Sequence, residues 1–366
     1  MYAQGGNAFD AAVAAAFSLS VVESSMSGIG GRLQAIYRTS DGSIAGIDAS
    51  TEVPIKYTPL EQKYSYGYET IGIPGVVAGL IKLQEDHGVL ELNAVLAPAI
   101  NYAENGYVML PGEALRQQIA AEKIAEFVGS SHHFLKGNGT ANSAGDLIIQ
   151  KDLAEVLKAI AAKGRKGFYE GEVARKIVED IQANGGIITL EDLKNYRALS
   201  SEIVDGVFKD HKVHSLYLPS FGAITVQILQ ILDHLPSFNS EEDWALSNGK
   251  ATEIAYKYRK KQENLDSLNL ILSYEKAGEL ADKIDSSFSN IQTNIESDNP
   301  ISFGSIDGHT THLTAVDHFG NAVSLTQTIG PNMGSKVATK GLGFLYAVTL
   351  GGYLGDYKPG DRANSH

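Results

Sequence analysis

The sequence predicts an α+β protein, on three observations. A long apolar stretch near the start has the length and composition of a buried helix, amphipathic helical patterns fill the middle of the chain, and alternating strands joined by tight turns stand on either side of them. With 366 residues, 43% of them hydrophobic, the chain can bury a large core as one big domain or two intimately mixed ones.

Residues 7–22 read as a core helix, because the apolar run Ala8 to Val22 contains Asp10 and falls short of the roughly 20 residues that a membrane helix needs. A Gly-rich turn then leads to strands at 33–38 and 43–48, joined by Asp41-Gly42. Helical patterns follow over 76–83, 93–105, 111–127, 153–162 and 171–184, with Gly106 and Gly185 as stops. Thr189 and Asp192 fit an acidic capping box that opens a short helix within 189–198. Residues 203–216 read as strand, 224–232 as a second core helix, and 241–284 as charged and helical. Residues 285–309 are rich in Ser, Asn, Asp and Gly, as in an exposed loop. Beyond them, Leu313 to Asp317 and Ala322 to Thr328 alternate about the turn His318-Phe319-Gly320-Asn321 and read as a hairpin. Folded about Phe319, the hairpin sets Thr328 opposite Thr310, with Thr326 and Thr328 on one face.

A formal net charge of −13 argues against nucleic acid or an anionic membrane as partner. With no cysteine there is neither a disulfide framework nor a thiol nucleophile, and redox chemistry leaves the compartment open. No signal peptide is visible, no internal repeat appears, and no metal-ligand spacing is recognisable, so neither metal nor cofactor is expected.

The chemistry points to Gly308-His309-Thr310-Thr311-His312, where the polar segment gives way to the hairpin. A threonine hydroxyl is a poor nucleophile, and making it the first residue of a chain gives it its own α-amine as base. That amine titrates near 8, within reach of neutral pH. The junction therefore reads as a self-cleavage site between His309 and Thr310, although two threonines entering a strand also fit a pleated surface without any chemistry.

From here the chain resembles the γ-glutamyltranspeptidase family of N-terminal-nucleophile hydrolases. The resemblance begins at Gly5-Gly6-Asn7-Ala8-Phe9-Asp10-Ala11-Ala12-Val13-Ala14 and continues through Ser27-Gly28-Ile29-Gly30-Gly31, Gly72-Ile73-Pro74-Gly75 and Ala97-Pro98-Ala99-Ile100. Gly167-Phe168-Tyr169-Glu170-Gly171 and Asn184-Gly185-Gly186-Ile187-Ile188-Thr189 follow, ahead of Thr310-Thr311-His312. The resemblance implies a four-layer αββα sandwich. It implies a precursor that cuts itself into a large-subunit-like segment, 1–309, and the start of a small-subunit-like segment, 310–366, which stay associated as one intertwined domain. It gives Thr310 the role of nucleophile and Thr328 that of orienting it, with Thr311 and His312 structural. The donor would be a γ-glutamyl amide such as glutathione, or another acyl amide, and the acceptor an amino acid, a peptide or water.

The departures bear on the donor. Where the family carries an arginine for the donor carboxylate, this chain has Ser50; where it carries amide and acidic residues for the donor amine, it has Thr349, Gly351 and Gly352 within Ala347 to Tyr353. Gly330 replaces an asparagine, and Arg32 stands for the fourth glycine of a Gly-rich strand. Arg32 either replaces the lost cation from another wall or is a structural arginine. Lys358 to Ser365 resembles a family segment in which a serine pair binds the donor carboxylate, and Ser365 matches the first of that pair. The resemblance places the family's first strand before Gly5 and its oxyanion-hole Gly-Gly loop beyond His366, so the chain reads as part of a longer protein. Three functions follow: a γ-glutamyltransferase or glutathione hydrolase, a related amidohydrolase with altered donor specificity, or an unprocessed, non-catalytic binding protein that keeps the fold.

Overall fold

The computed structural model describes residues 1–59, 62, 64–259, 265–284, 310–351 and 357–363. They fall into two compact units, one within Met1–Ser200 and Ile306–Ser365, the other within Ser201–Ser305.

The first unit is organised by a five-stranded sheet in the order Leu199–Ser201, Ile44–Ala49, Arg32–Arg38, Ala322–Thr328, Thr311–Val316. Arg32–Arg38 pairs antiparallel with Ala322–Thr328, from Arg32 opposite Thr328 to Arg38 opposite Ala322. The hairpin register sets Gln327 opposite Thr311 and Thr326 opposite His312. Since side chains alternate, the sheet has two unlike faces. Leu33, Ala35, Val323, Leu325, Ile47 and Ala49 are buried in one core with Ala12, Val13, Ala16 and Phe17 of the helix Ala8–Val22 and with Val76, Leu80 and Leu83 of Val76–His87. The other face carries Arg32, Gln34, Ser324, Thr326, Thr328, His312 and Thr314.

The helices follow the sequence reading closely: Leu92–Asn105, Pro111–Ala125, Lys151–Lys163, Gly171–Ala183 and Leu190–Asn195. Thr189 and Asp192 make the capping box in both directions. Gly106 and Gly185, the expected stops, take left-handed φ of 93° and 90°. The Val76 helix runs four residues past Leu83, because Gln84 turns inward and donates to Asp10 Oδ1 at 2.7 Å.

The second unit differs from the reading at one place. Residues 203–216 are not one strand but a hairpin, Ile203–Phe208 with His211–Leu216, turning at Lys209-Asp210 with Lys209 at φ 53°. The helices Gly222–Asp233, Glu241–Lys257, Leu265–Ile271 and Tyr274–Ala281 complete it, around Val204, Val226, Leu268, Ile271, Ile231 and Leu280. The expected loop at 285–309 lies outside the described residues. Among the described residues, no helix is long and apolar enough to cross a membrane.

Asp10 holds the first helix in place. It is fully buried, closes a capping box with Asn7, and accepts from the backbone N–H of Val89 and Leu90 at 3.0–3.2 Å. Asp10→Ala leaves these N–H groups and that of Asn7 without their acceptor. Since each buried donor left unsatisfied costs about 1–3 kcal/mol, the unfolding free energy should fall by about 3 kcal/mol or more in a urea titration. A loss below about 1 kcal/mol would contradict this account of the helix start.

Candidate active site

Thr310 stands at the mouth of the polar face, one residue before the strand Thr311–Val316, and is exposed. Its Oγ1 lies 3.2 Å from Thr328 Oγ1, within hydrogen-bond reach, and Thr328 Oγ1 also accepts from the Gly330 N–H at 3.0 Å. Gly330 takes φ 89°, a left-handed conformation that turns the chain back towards Thr328 at no steric cost to glycine. The neighbouring strand can come close because Gly31 has no Cβ: one added there would lie 2.4 Å from Thr328 O.

Thr311 faces the opposite way and anchors the start of the strand, donating from Oγ1 to Glu23 Oε2 at 2.5 Å. Glu23 caps the end of the first helix. Its other oxygen lies 3.9 Å from Arg116, whose Nε donates to Ser25 Oγ at 2.7 Å. Ser25 in turn donates to buried Glu113 through its hydroxyl and its N–H. Sequence reasoning missed this chain of contacts; the only local signal was the polar run Glu23-Ser24-Ser25 directly after an apolar helix. His312 has Nδ1 2.8 Å from Thr326 Oγ1 and Nε2 3.1 Å from Ser324 Oγ, which occupies both ring nitrogens on the polar face.

Arg32 is directly opposite Thr328 in the register and only 4% exposed, so its side chain rises from the same face as the two hydroxyls. Its Nη1 donates to Val348 O at 3.3 Å. Ser50 follows Ala49, the partner of Leu33 on the next strand. It is 1% exposed, its carbonyl accepts from Tyr196 and Arg362, and among the described residues its hydroxyl has no hydrogen-bond partner. Thr349, fully buried next to Val348, has an equally unpartnered hydroxyl. The ladder Arg362 to Glu52 and Ala363 to Thr51 brings the segment leading to Ser365 alongside Ser50. His309, Gly352 and Ser365 themselves lie outside the described residues.

One cluster was not legible in the sequence. His132, His133 and Asp152 gather nitrogen and oxygen atoms within 4.8 Å of one another. His133 Nε2 lies 3.2 Å from the Gly341 N and 3.3 Å from Thr339 O, and its Nδ1 lies 3.9 Å from Asp152. Burial pushes the His133 pKa down.

The gamma-glutamyltranspeptidase family model matches residues 1–360, and the chain belongs to that family. It is 30% identical over 386 residues to the glutathione hydrolase proenzyme of Escherichia coli (strain K12), covering 98% of this chain and 64% of that protein. It is also 30% identical over 365 residues to the capsule biosynthesis protein CapD proenzyme of Bacillus anthracis, covering 99% of this chain and 65% of that protein. This chain thus spans less than two thirds of the length of both. Among solved structures, Helicobacter pylori gamma-glutamyltranspeptidase matches with a TM-score of 0.73 and 31% identity over 77% of this chain and 86% of that one. The cephalosporin acylase from Bacillus halodurans matches with a TM-score of 0.84 and 26% identity over 99% and 70%. The fold class is therefore the one expected: α+β, of the four-layer αββα N-terminal-nucleophile-hydrolase type, whose polar sheet face bears the threonine pair.

The loop after Thr328 contains Lys336, buried and left-handed at φ 64°, whose Nζ donates to the carbonyls of Asn332 and Gly334. Burial, with a smaller repulsion from Lys123, pushes its pKa down to about 8. Because the folded value is depressed, the unfolded chain holds the extra proton between pH 8 and its ordinary value of 10.5, and stability contributed by this group rises with pH over that window. The wild type should gain on Lys336→Met by about 1.4 kcal/mol per pH unit across the middle of the window, measured by paired urea titrations. A flat difference would place the ammonium in a better solvated site.

Proposed function

We propose that this chain is an autoprocessing N-terminal-threonine acyltransferase or amidohydrolase, acting on γ-glutamyl amides such as glutathione or on related acyl amides with altered donor specificity. The observation that carries the reading is the 3.2 Å approach of Thr310 Oγ1 to Thr328 Oγ1 at the exposed start of a strand. In maturation, the Thr310 hydroxyl attacks the His309 carbonyl and the peptide bond shifts to an ester. Water then hydrolyses the ester, giving a carboxylate on His309 and a free amine on Thr310. That amine serves as the base that Thr310 lacks inside a chain. In turnover, the hydroxyl attacks the donor's acyl carbon, the amine takes its proton and passes it to the leaving amine, and water or an amino-acid or peptide acceptor resolves the acyl-enzyme.

Segments 1–309 and 310–366 have reason to stay together after such a cut. The ladder of Arg32–Arg38 with Ala322–Thr328 lies between them, Asp317 Oδ2 accepts from the Ala8 N–H at 2.9 Å, and the Tyr2 hydroxyl donates to Val316 O at 2.7 Å. All of these contacts leave the His309–Thr310 bond untouched.

Thr328 has a definable contribution: a hydrogen bond to an oxygen that develops charge is worth about 1.5–3 kcal/mol, or about 10- to 100-fold in rate. The test follows self-cleavage by denaturing gel and release of p-nitroaniline from acyl anilides with glycylglycine as acceptor. Thr310→Ala should be uncut and inactive, Thr310→Ser cut, and Thr328→Val slowed in both steps by about 10- to 100-fold. Cleavage of Thr310→Ala at the wild-type rate would sink the proposal, and a folded wild type that stays uncut and inactive would favour the binding-protein alternative.

A further inference from the structure

We infer that His132, His133 and Asp152 form a binding site for a divalent cation of the zinc class, and that the ion acts on the loop at 339–341 through His133. The inference does not rest on the acyl-transfer reading, since no part of it uses Thr310 or Thr328. The helix Val128–Phe134 ends on the two histidines, and the helix Lys151–Lys163 supplies Asp152 from its first turn. One donor atom from each residue lies within 4.8 Å of the other two, and His133 Nδ1 is 3.9 Å from Asp152 Oδ2. Ligand atoms about 2.0–2.2 Å from a tetrahedral ion stand ~3.4 Å from one another, so the set closes by shifts of about 1 Å. The His133 side chain is 11% exposed and that of Asp152 42%, while His132 is exposed, so the two outer ligands can swing onto the fixed inner one.

The state of the donor atoms separates this cluster from a chance gathering of polar groups. Among the described residues, neither nitrogen of His132 and neither carboxylate oxygen of Asp152 has a hydrogen-bond partner. Nε2 of His133, by contrast, faces Thr339 O at 3.3 Å. A histidine that binds a metal through one nitrogen almost always donates from the other to a carboxylate, a backbone carbonyl or water, and here the carbonyl is in place. With the ion on Nδ1, the ring proton sits on Nε2 and goes to Thr339 O, and the Gly341 N–H, 3.2 Å from the same nitrogen, gives up its acceptor. Binding therefore turns the ring from one backbone group of the loop to another.

The donor set also selects the ion. Two neutral imidazoles and one carboxylate suit zinc and its transition-metal neighbours, whereas magnesium and calcium take oxygen ligands. Three protein ligands leave a position of a tetrahedral shell to water. The Lys340 ammonium opposes the ion from the loop, and the Asp152 carboxylate supplies the compensating negative charge.

The test is calorimetric titration of the metal-stripped full-length protein with zinc chloride and, separately, magnesium chloride, repeated on His132→Ala, His133→Ala and Asp152→Asn. The wild type should bind zinc with a single high-affinity site and magnesium with no measurable heat. Loss of an outer-shell partner alone costs about 10- to 100-fold in metal affinity, so each variant should bind zinc at least about 10-fold more weakly. Hydrogen exchange in the peptide that contains Gly341 reads the effect on the loop, and the Gly341 amide should exchange faster with zinc than without it. Absence of zinc binding at millimolar concentration, magnesium bound as tightly as zinc, or wild-type zinc affinity in both His132→Ala and Asp152→Asn overturns the site. Exchange at Gly341 that zinc leaves unchanged overturns the action on the loop. Because His132 is exposed and without a hydrogen-bond partner among the described residues, His132→Ala keeps the test decisive even if His133→Ala fails to fold.

Discussion

The pairing of Arg32–Arg38 with Ala322–Thr328 is the constraint on which the site depends. A slip of one residue in this ladder would turn Thr328 into the helical core and present buried Gln327 to the polar face, because side chains alternate with period two. The correct register is held from the core side, where Gln327 Nε2 donates to Ala16 O at 2.9 Å and Leu33, Ala35, Val323 and Leu325 pack under the helices. Apolar burial on one face thus fixes the positions of hydroxyls and a cation on the other. The strand that follows Thr310 is pinned from below as well, through Thr311 and Glu23.

How much of this was legible in the sequence depends on the separation of the residues involved. The hairpin and its register could be read locally, since alternation on both arms and a single Gly-containing turn left one sensible centre, Phe319, and that centre pairs Thr310 with Thr328. The first helix was equally plain, its apolar run preceded by Asn7 as N-cap. The place of Arg32 was not. It comes from a pairing between residues about 300 positions apart, and a lone arginine after a glycine run reads equally well as a surface residue. The contacts of Glu23 with Thr311, and the gathering of His132 and His133 with Asp152, are tertiary for the same reason.

Where the reading of elements failed, turn chemistry explains it. Residues 203–216 looked continuous because Lys209-Asp210 carries neither glycine nor asparagine at the first turn position, yet Lys209 adopts φ 53° to close a hairpin. The Val76 helix was cut short in the reading because Gln84-Glu85-Asp86-His87 has no apolar member, whereas Gln84 is buried by its hydrogen bond to Asp10. A polar side chain with a buried partner thus has the role that an apolar periodicity would have signalled.

The proposed chemistry turns on one event, release of the Thr310 amine, without which the hydroxyl has no adjacent base. The most direct measurement is the intact mass of the purified full-length protein under denaturing conditions, with N-terminal sequencing of any smaller fragment. The expected result is a fragment beginning Thr310-Thr311-His312. A stable single chain across 309–310, in protein that is otherwise folded, would contradict the account.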